Sequence, residues 1–187
     1  MKKPNVALLF VLSATAAAVI TARSLQAAER STLQTVPSVD INRYIGRWYE
    51  IARYPNRFQK KCEADTTAMY SLRKDGAIDV VNTCRKKDGT FTSSRGKAKI
   101  VGKSGNARLK VTFFWPFSGN YWIIGLDPQY RYAIVGEPSR KYLWILSRTP
   151  RLDPALYEDA LEQIRRAGYD PAKLMRTPQS ELQIPAA

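Results

Sequence analysis

The chain contains no histidine, only two cysteines among its 187 residues, and about half as many acidic as basic side chains, 16 against 30. Each shortage removes a class of chemistry. Without imidazole there is no general base of the usual kind, and no serine or cysteine triad of the common type. Two lone sulfurs, Cys62 and Cys84, do not close a tetrahedral zinc site, so neither a metal nor a cofactor is expected. Neither cysteine follows the apolar start of the chain, where a diacyl lipoprotein anchor would need one. Long apolar runs are lacking too: the longest, residues 6–20, falls short of the roughly 20 residues that span a bilayer.

That run follows Lys2 and Lys3 and leads into small residues, the order of a secretory signal. Residues 1–28 are therefore read as a signal peptide or, if uncleaved, an N-terminal anchor, and the polar, unpatterned residues 29–38 as a linker. In an oxidising compartment Cys62 and Cys84 most simply form one disulfide, two buried thiols being the alternative. The formal charge of +14 favours anionic partners. For an exported chain these are lipid head groups or surface polysaccharide rather than nucleic acid; charge serving solubility alone is the bland alternative.

Beyond the linker, short alternating or aromatic and β-branched runs recur between turn signals at the spacing of a barrel or sandwich. They cover residues 48–54, 66–72, 77–84, 96–101, 107–114, 121–126, 130–135 and 142–147. Lys74-Asp75-Gly76, Lys87-Asp88-Gly89, Asp127-Pro128 and Glu137-Pro138-Ser139 supply turn chemistry, and connections this short favour antiparallel neighbours. The period then changes. Asp153-Pro154 is an N-cap followed by proline at the first helical position and Gly168 is a stop, so residues 154–167 read as one helix, with Leu156, Ala160, Ile164 and Ala167 as its apolar face. A short extended piece is expected at residues 173–175.

The predicted fold is all-β: an eight-stranded antiparallel up-and-down β-barrel over residues 39–179, with one C-terminal α-helix packed outside and a tail at 180–187. Alternation sets the inner face. Leu109, Val111 and Phe113 face inward against Arg108, Lys110 and Thr112, as do Ala98 and Ile100, and Ile78 and Val80.

The segment "GRWYEIARYPNRFQ" from Gly46 resembles the G-x-W signature that opens lipocalins, and Arg148 in "YLWILSRTP" resembles the arginine that closes them. "YSLRKDGAIDVVNTC", "LKVTFFWPF" and "LDPQYRYAIVGEP" are similar to the bacterial lipocalin and apolipoprotein D branch. The middle signature departs from the common form, reading Leu126-Asp127-Pro128 with Tyr130 two residues on. The resemblance implies a barrel carrying a hydrophobic ligand, with Gly46, Trp48 and Arg148 as structural residues of its closed end. It also implies a periplasmic or outer-membrane location, without the usual anchoring cysteine.

If Trp48 and Arg148 mark the closed end, the open rim carries Arg57, Lys60, Lys61, Arg85, Lys86, Lys87, Arg140 and Lys141 against Glu63, Asp65, Asp88 and Glu137. Such a rim would attract an anionic head group or membrane surface. The aromatic loop at Phe114, Trp115 and Phe117 belongs to the same rim, as a membrane-touching element or an inward lid. The cavity candidates are Tyr70, Asn82, Phe113, Trp115, Tyr132, Tyr142 and Trp144, with Val80, Ile100, Leu109, Val111 and Leu146 sharing the inward face. Fatty acids or lysophospholipids are the ligands that family and charge jointly suggest, for membrane lipid transport, storage or maintenance. A lipocalin-fold enzyme acting on a lipid-like substrate is the alternative, disfavoured because the predicted interior offers tyrosines but no clear carboxylate.

Overall fold

In the computed structural model of the protein, residues 32–180 are described. The apolar runs form β1 (Gly46–Arg53), β2 (Ala64–Leu72), β3 (Ile78–Arg85), β4 (Phe91–Ile100), β5 (Arg108–Phe114), β6 (Phe117–Leu126), β7 (Tyr132–Gly136) and β8 (Leu143–Ser147). Each pairs antiparallel with the next. β1 pairs with both β2 and β8, so the sheet closes on itself and has no free edge over that stretch. The up-and-down barrel expected from the spacing is therefore present.

Two strands begin well before the start that the apolar pattern suggests. β4 starts at Phe91 rather than residue 96, and β6 at Phe117 rather than 121. These leading segments, FTSS and FSGN, lie at the open end, where water reaches both faces of the sheet and no apolar alternation is imposed. On β4 the inward positions Thr92 and Ser94 are partly exposed and the outward Phe91, Ser93 and Arg95 more so.

The closed end is capped by the chain's approach to β1. Val36 donates its backbone N–H to Ile123, Val39 donates to Gly105 and is buried, and a short helix α1 (Ile41–Tyr44) follows with Asp40 as its N-cap. Residues 36–38 were expected to be linker. They belong to the barrel instead, because Val36 packs on its interior cluster. The signal peptide or N-terminal anchor expected over residues 1–28 lies outside the described residues.

Helix α2 (Pro154–Arg166) packs on the outer face of β6 and β7, burying Ala160 and Ile164. Asp153 caps it by accepting from the N–H groups of Ala155 and Leu156. After it come a 3-10 turn at Pro171–Lys173 and a two-residue strand β9 (Met175–Arg176) beside the upper half of β1, which overlaps the extended piece expected at residues 173–175. β1 and β2 diverge there, and residues 177–180 fill the seam. Thr177 donates its N–H to Ile51, Asp65 donates to Pro178, and the Gln179 amide donates to the carbonyls of Glu50 and Thr66. Ser180, expected in the tail, bonds the Asp65 carboxylate.

The Cys62–Cys84 disulfide forms, with 5.5 Å between Cα atoms. It ties the β1–β2 connection to the end of β3 at the open rim, and closing a loop of 22 residues is worth roughly 3 kcal/mol.

Candidate functional site

At the base of the barrel, Trp48 is fully buried and the Arg148 guanidinium lies 3.8 Å from its ring centroid. Arg148 also donates to the carbonyls of Arg43, Tyr44 and Arg47, and the Trp48 indole N–H donates to the Tyr44 carbonyl at 2.8 Å. One guanidinium thus fastens α1 to the start of β1. Gly46 sits directly beneath, at a φ of +95° that a side chain would strain, and a Cβ there would reach 3.4 Å from Arg148 Nη1. All three residues serve architecture.

Above the base stand three tyrosines. Tyr44 and Tyr70 each place a hydroxyl on that of Tyr121, at 2.7 and 3.0 Å. Burial raises all three pKa values, that of Tyr70 to about 12, so the hydroxyls stay protonated. Tyr70 is therefore inward as expected; Tyr44 and Tyr121 escaped the sequence reading, although Tyr121 lies across from the inward Leu109.

The middle wall carries Val80, Ile100, Leu109, Val111 and Phe113, all in or against the interior cluster. Phe113 lies over Gly96, where a Cβ would come within 2.8 Å of its ring, so that glycine makes room for the aromatic. Asn82 pairs with Ala68 on the same face, and its Oδ1 is buried without a hydrogen-bond partner.

Near the mouth Tyr142 and Trp144 stack at 6.1 Å between centroids, and Phe58, from a 3-10 turn at Arg57–Gln59, contacts both rings. Gln59 reaches into the barrel, its Oε1 accepting from the Trp144 indole and its amide donating to Glu50. Glu50 faces inward, since it pairs across with Leu146 of the interior cluster. A bulge at Ile51 then turns Arg53 inward opposite Trp144. The two form an ion pair at 3.1 Å with side chains 4% and 9% exposed, and both bond the Thr177 hydroxyl. The interior does hold a carboxylate, contrary to the expectation from sequence. Its three acceptor bonds, from Arg53, Gln59 and Thr177, occupy both oxygens.

Two candidates are not in the cavity. Tyr132 is on the outer face of β7, where its hydroxyl bonds Asp159 and Gln163 of α2. β7 is buried on both faces, so alternation gave no sign of which side was which. Trp115 is 89% exposed at the tip of the β5–β6 hairpin, flanked by Phe114 and Phe117 at 77% each, and does not fold inward as a lid.

The rim charges also sort themselves. Arg85 pairs with buried Asp65 at 2.6 Å, Lys86 pairs with Asp88, and Glu137 accepts from Ser139 and Lys141 backbone N–H groups. Arg140 turns away to the carbonyl of Ala167, the C-cap of α2. Arg57, Lys60, Lys61, Lys87 and Lys141 make no ion pair among the described residues.

Residues 39–179 match the family model described as a lipocalin-like domain. Temperature-induced lipocalin-1 of Arabidopsis thaliana is 43% identical over 162 residues, covering 82% of this chain and 86% of that protein. Outer membrane lipoprotein Blc of Escherichia coli (strain K12) is 43% identical over 166 residues, covering 88% and 93%. Apolipoprotein D of Mus musculus is 34% identical over 151 residues, covering 75% and 77%. Among solved structures, insecticyanin from the tobacco hornworm Manduca sexta superposes with a TM-score of 0.67 at 21% identity, covering 80% of this chain and 85% of that one, a likeness of fold.

Proposed function

The chain is a member of the lipocalin family, and from that premise we propose that its barrel carries a fatty acid or lysophospholipid, for lipid transport, storage or maintenance in the cell envelope. One observation carries the reading. The inward residues of the closed half, such as Trp48, Val80, Ala98 and Ile123, are buried, whereas Val111, Phe113, Tyr121 and Trp144 face inward yet stay partly exposed. An apolar, aromatic wall open to water beneath a cationic rim suits an acyl chain with a polar or anionic head. Each methylene that leaves water contributes about 0.8 kcal/mol. No reaction is required, and the engaged oxygens of Glu50 make it a poor general base.

The rim supports loading at an anionic membrane. Phe114, Trp115 and Phe117 stand exposed on the same rim as Arg57, Lys60, Lys61, Lys87 and Lys141, which make no ion pair among the described residues, and aromatic side chains with a basic rim suit a lipid interface. We read the protein as exported and periplasmic or outer-membrane associated.

Native mass spectrometry of the protein purified from its own host tests carriage: a co-purifying lipid is expected. A barrel that is empty and takes up neither fatty acid nor lysophospholipid rejects the reading, and one that turns over a lipid analogue favours the enzyme. Reversing Lys60, Lys61 and Lys87 together with Trp115→Ala should weaken binding to anionic vesicles while leaving lipid uptake from detergent intact. Unchanged vesicle binding removes the membrane from the account.

A further inference from the structure

The three tyrosine hydroxyls above the base carry one hydrogen more than the contacts between them use. Tyr44, Tyr121 and Tyr70 bring three O–H donors, and the two contacts between them use two. Their hydroxyls reach no other protein acceptor among the described residues. Whichever way the chain of bonds runs, one hydrogen is left unspent inside the barrel, in a place where an unmade bond costs about 1–3 kcal/mol. Tyr121 is the member that keeps partial exposure, while Tyr44 and Tyr70 are 3% and 7% exposed.

We propose that this spare donor selects a ligand whose buried end carries a neutral oxygen acceptor, a hydroxyl, carbonyl or un-ionised carboxyl, in addition to the head group held at the rim. The proposal rests on the carriage reading and refines its substrate class from plain to oxygenated acyl chains. The donor is deep: Tyr121 lies across from Leu109, four residues or ~13 Å of strand below Phe113. An ionised group would find only a cation already engaged, since Arg148, though within electrostatic reach of Tyr44 and Tyr121, directs its guanidinium elsewhere. Arg148 is committed to three backbone carbonyls and the Trp48 face, and three protonated hydroxyls offer only neutral donors. The Oδ1 of Asn82, higher on the same face, is likewise buried without a hydrogen-bond partner.

The test compares palmitic acid with hydroxypalmitic acids substituted at successive positions toward the ω end, by displacement of a fluorescent fatty acid. In the wild-type protein a distal hydroxyl isomer should bind about 3- to 10-fold more tightly than the parent, the worth of one net hydrogen bond. In the Tyr44→Phe/Tyr70→Phe/Tyr121→Phe variant the order should reverse. Removing donors and acceptors together leaves no orphan, so that variant keeps its fold, which its thermal transition checks. Equal binding of all isomers to wild type, or a preference that survives in the triple variant, overturns the inference while leaving carriage intact. Failure of every lipid to bind overturns both.

Discussion

The Glu50–Arg53 pair gives the sharpest test of how the mouth of the barrel is built. Both side chains are nearly excluded from water, at 4% and 9% exposure, and the pair is tied to Gln59, Thr177 and, more distantly, the Cys62 carbonyl. Arg53→Met leaves a carboxylate with two neutral donors and no counter-charge; Glu50→Leu leaves a guanidinium whose Nε already lacks a partner. Each single change should cost about 3–5 kcal/mol, because an uncompensated buried charge is worse than none. The double variant loses the attraction and both desolvation penalties at once, and should recover most of that cost. The expected coupling is therefore several kcal/mol, well beyond the 0–1 kcal/mol of a surface pair. Urea unfolding of the four proteins, followed by tryptophan emission, measures it. If the single costs simply add in the double variant, the pair is solvated and the description of the mouth as a buried polar cluster fails.

Two further outcomes follow from the base and from the acid groups. Arg148→Ala removes a cation–π contact and three bonds to carbonyls, and should cost roughly 2–4 kcal/mol with little change in the affinity of a ligand held higher up; a large fall in affinity at unchanged stability would give Arg148 a binding role. Asp127, whose pKa is lowered chiefly by the Arg131 side chain that bonds it, and Asp65, where bonds from Arg85 and Ser180 outweigh burial, both have folded-state values below their unfolded ones. The stability they contribute is complete above about pH 4 and is lost as pH falls through their folded values. With no histidine in the chain, urea midpoints should stay flat from about pH 5 to 8 and drop below about pH 4, the drop shrinking in Asp65→Asn and Asp127→Asn. A midpoint that declines in the neutral range would contradict this assignment.

Much of the barrel was legible in the sequence because one face of most strands meets water. On β5 the alternation of Leu109, Val111 and Phe113 with Arg108, Lys110 and Thr112 marks the inward side, and the turn residues at Asp75-Gly76 and Asp88-Gly89 mark the hairpins. Legibility failed where that asymmetry vanished. β7 is covered by α2 outside and filled inside, so Tyr132 was assigned to the wrong face. The first halves of β4 and β6 are wet on both sides and looked like loop. Glu50 shares the parity of Trp48, which was available to read, but its meaning was not: the bulge that turns Arg53 beside it and the Thr177 hydroxyl that bonds both, 127 residues from Glu50, are tertiary facts.

The segment that fills the seam between β1 and β2 has a kinetic consequence. β1 is among the first strands to be made, yet its neighbours include β8, about a hundred residues later, and β9 with residues 177–180, the last of the described chain. Closing such distant contacts sets a high contact order and a slow search. Until that end arrives, the upper edge of β1 is an open template for pairing with another chain, so the interval between synthesis and closure is when this protein is most exposed to aggregation.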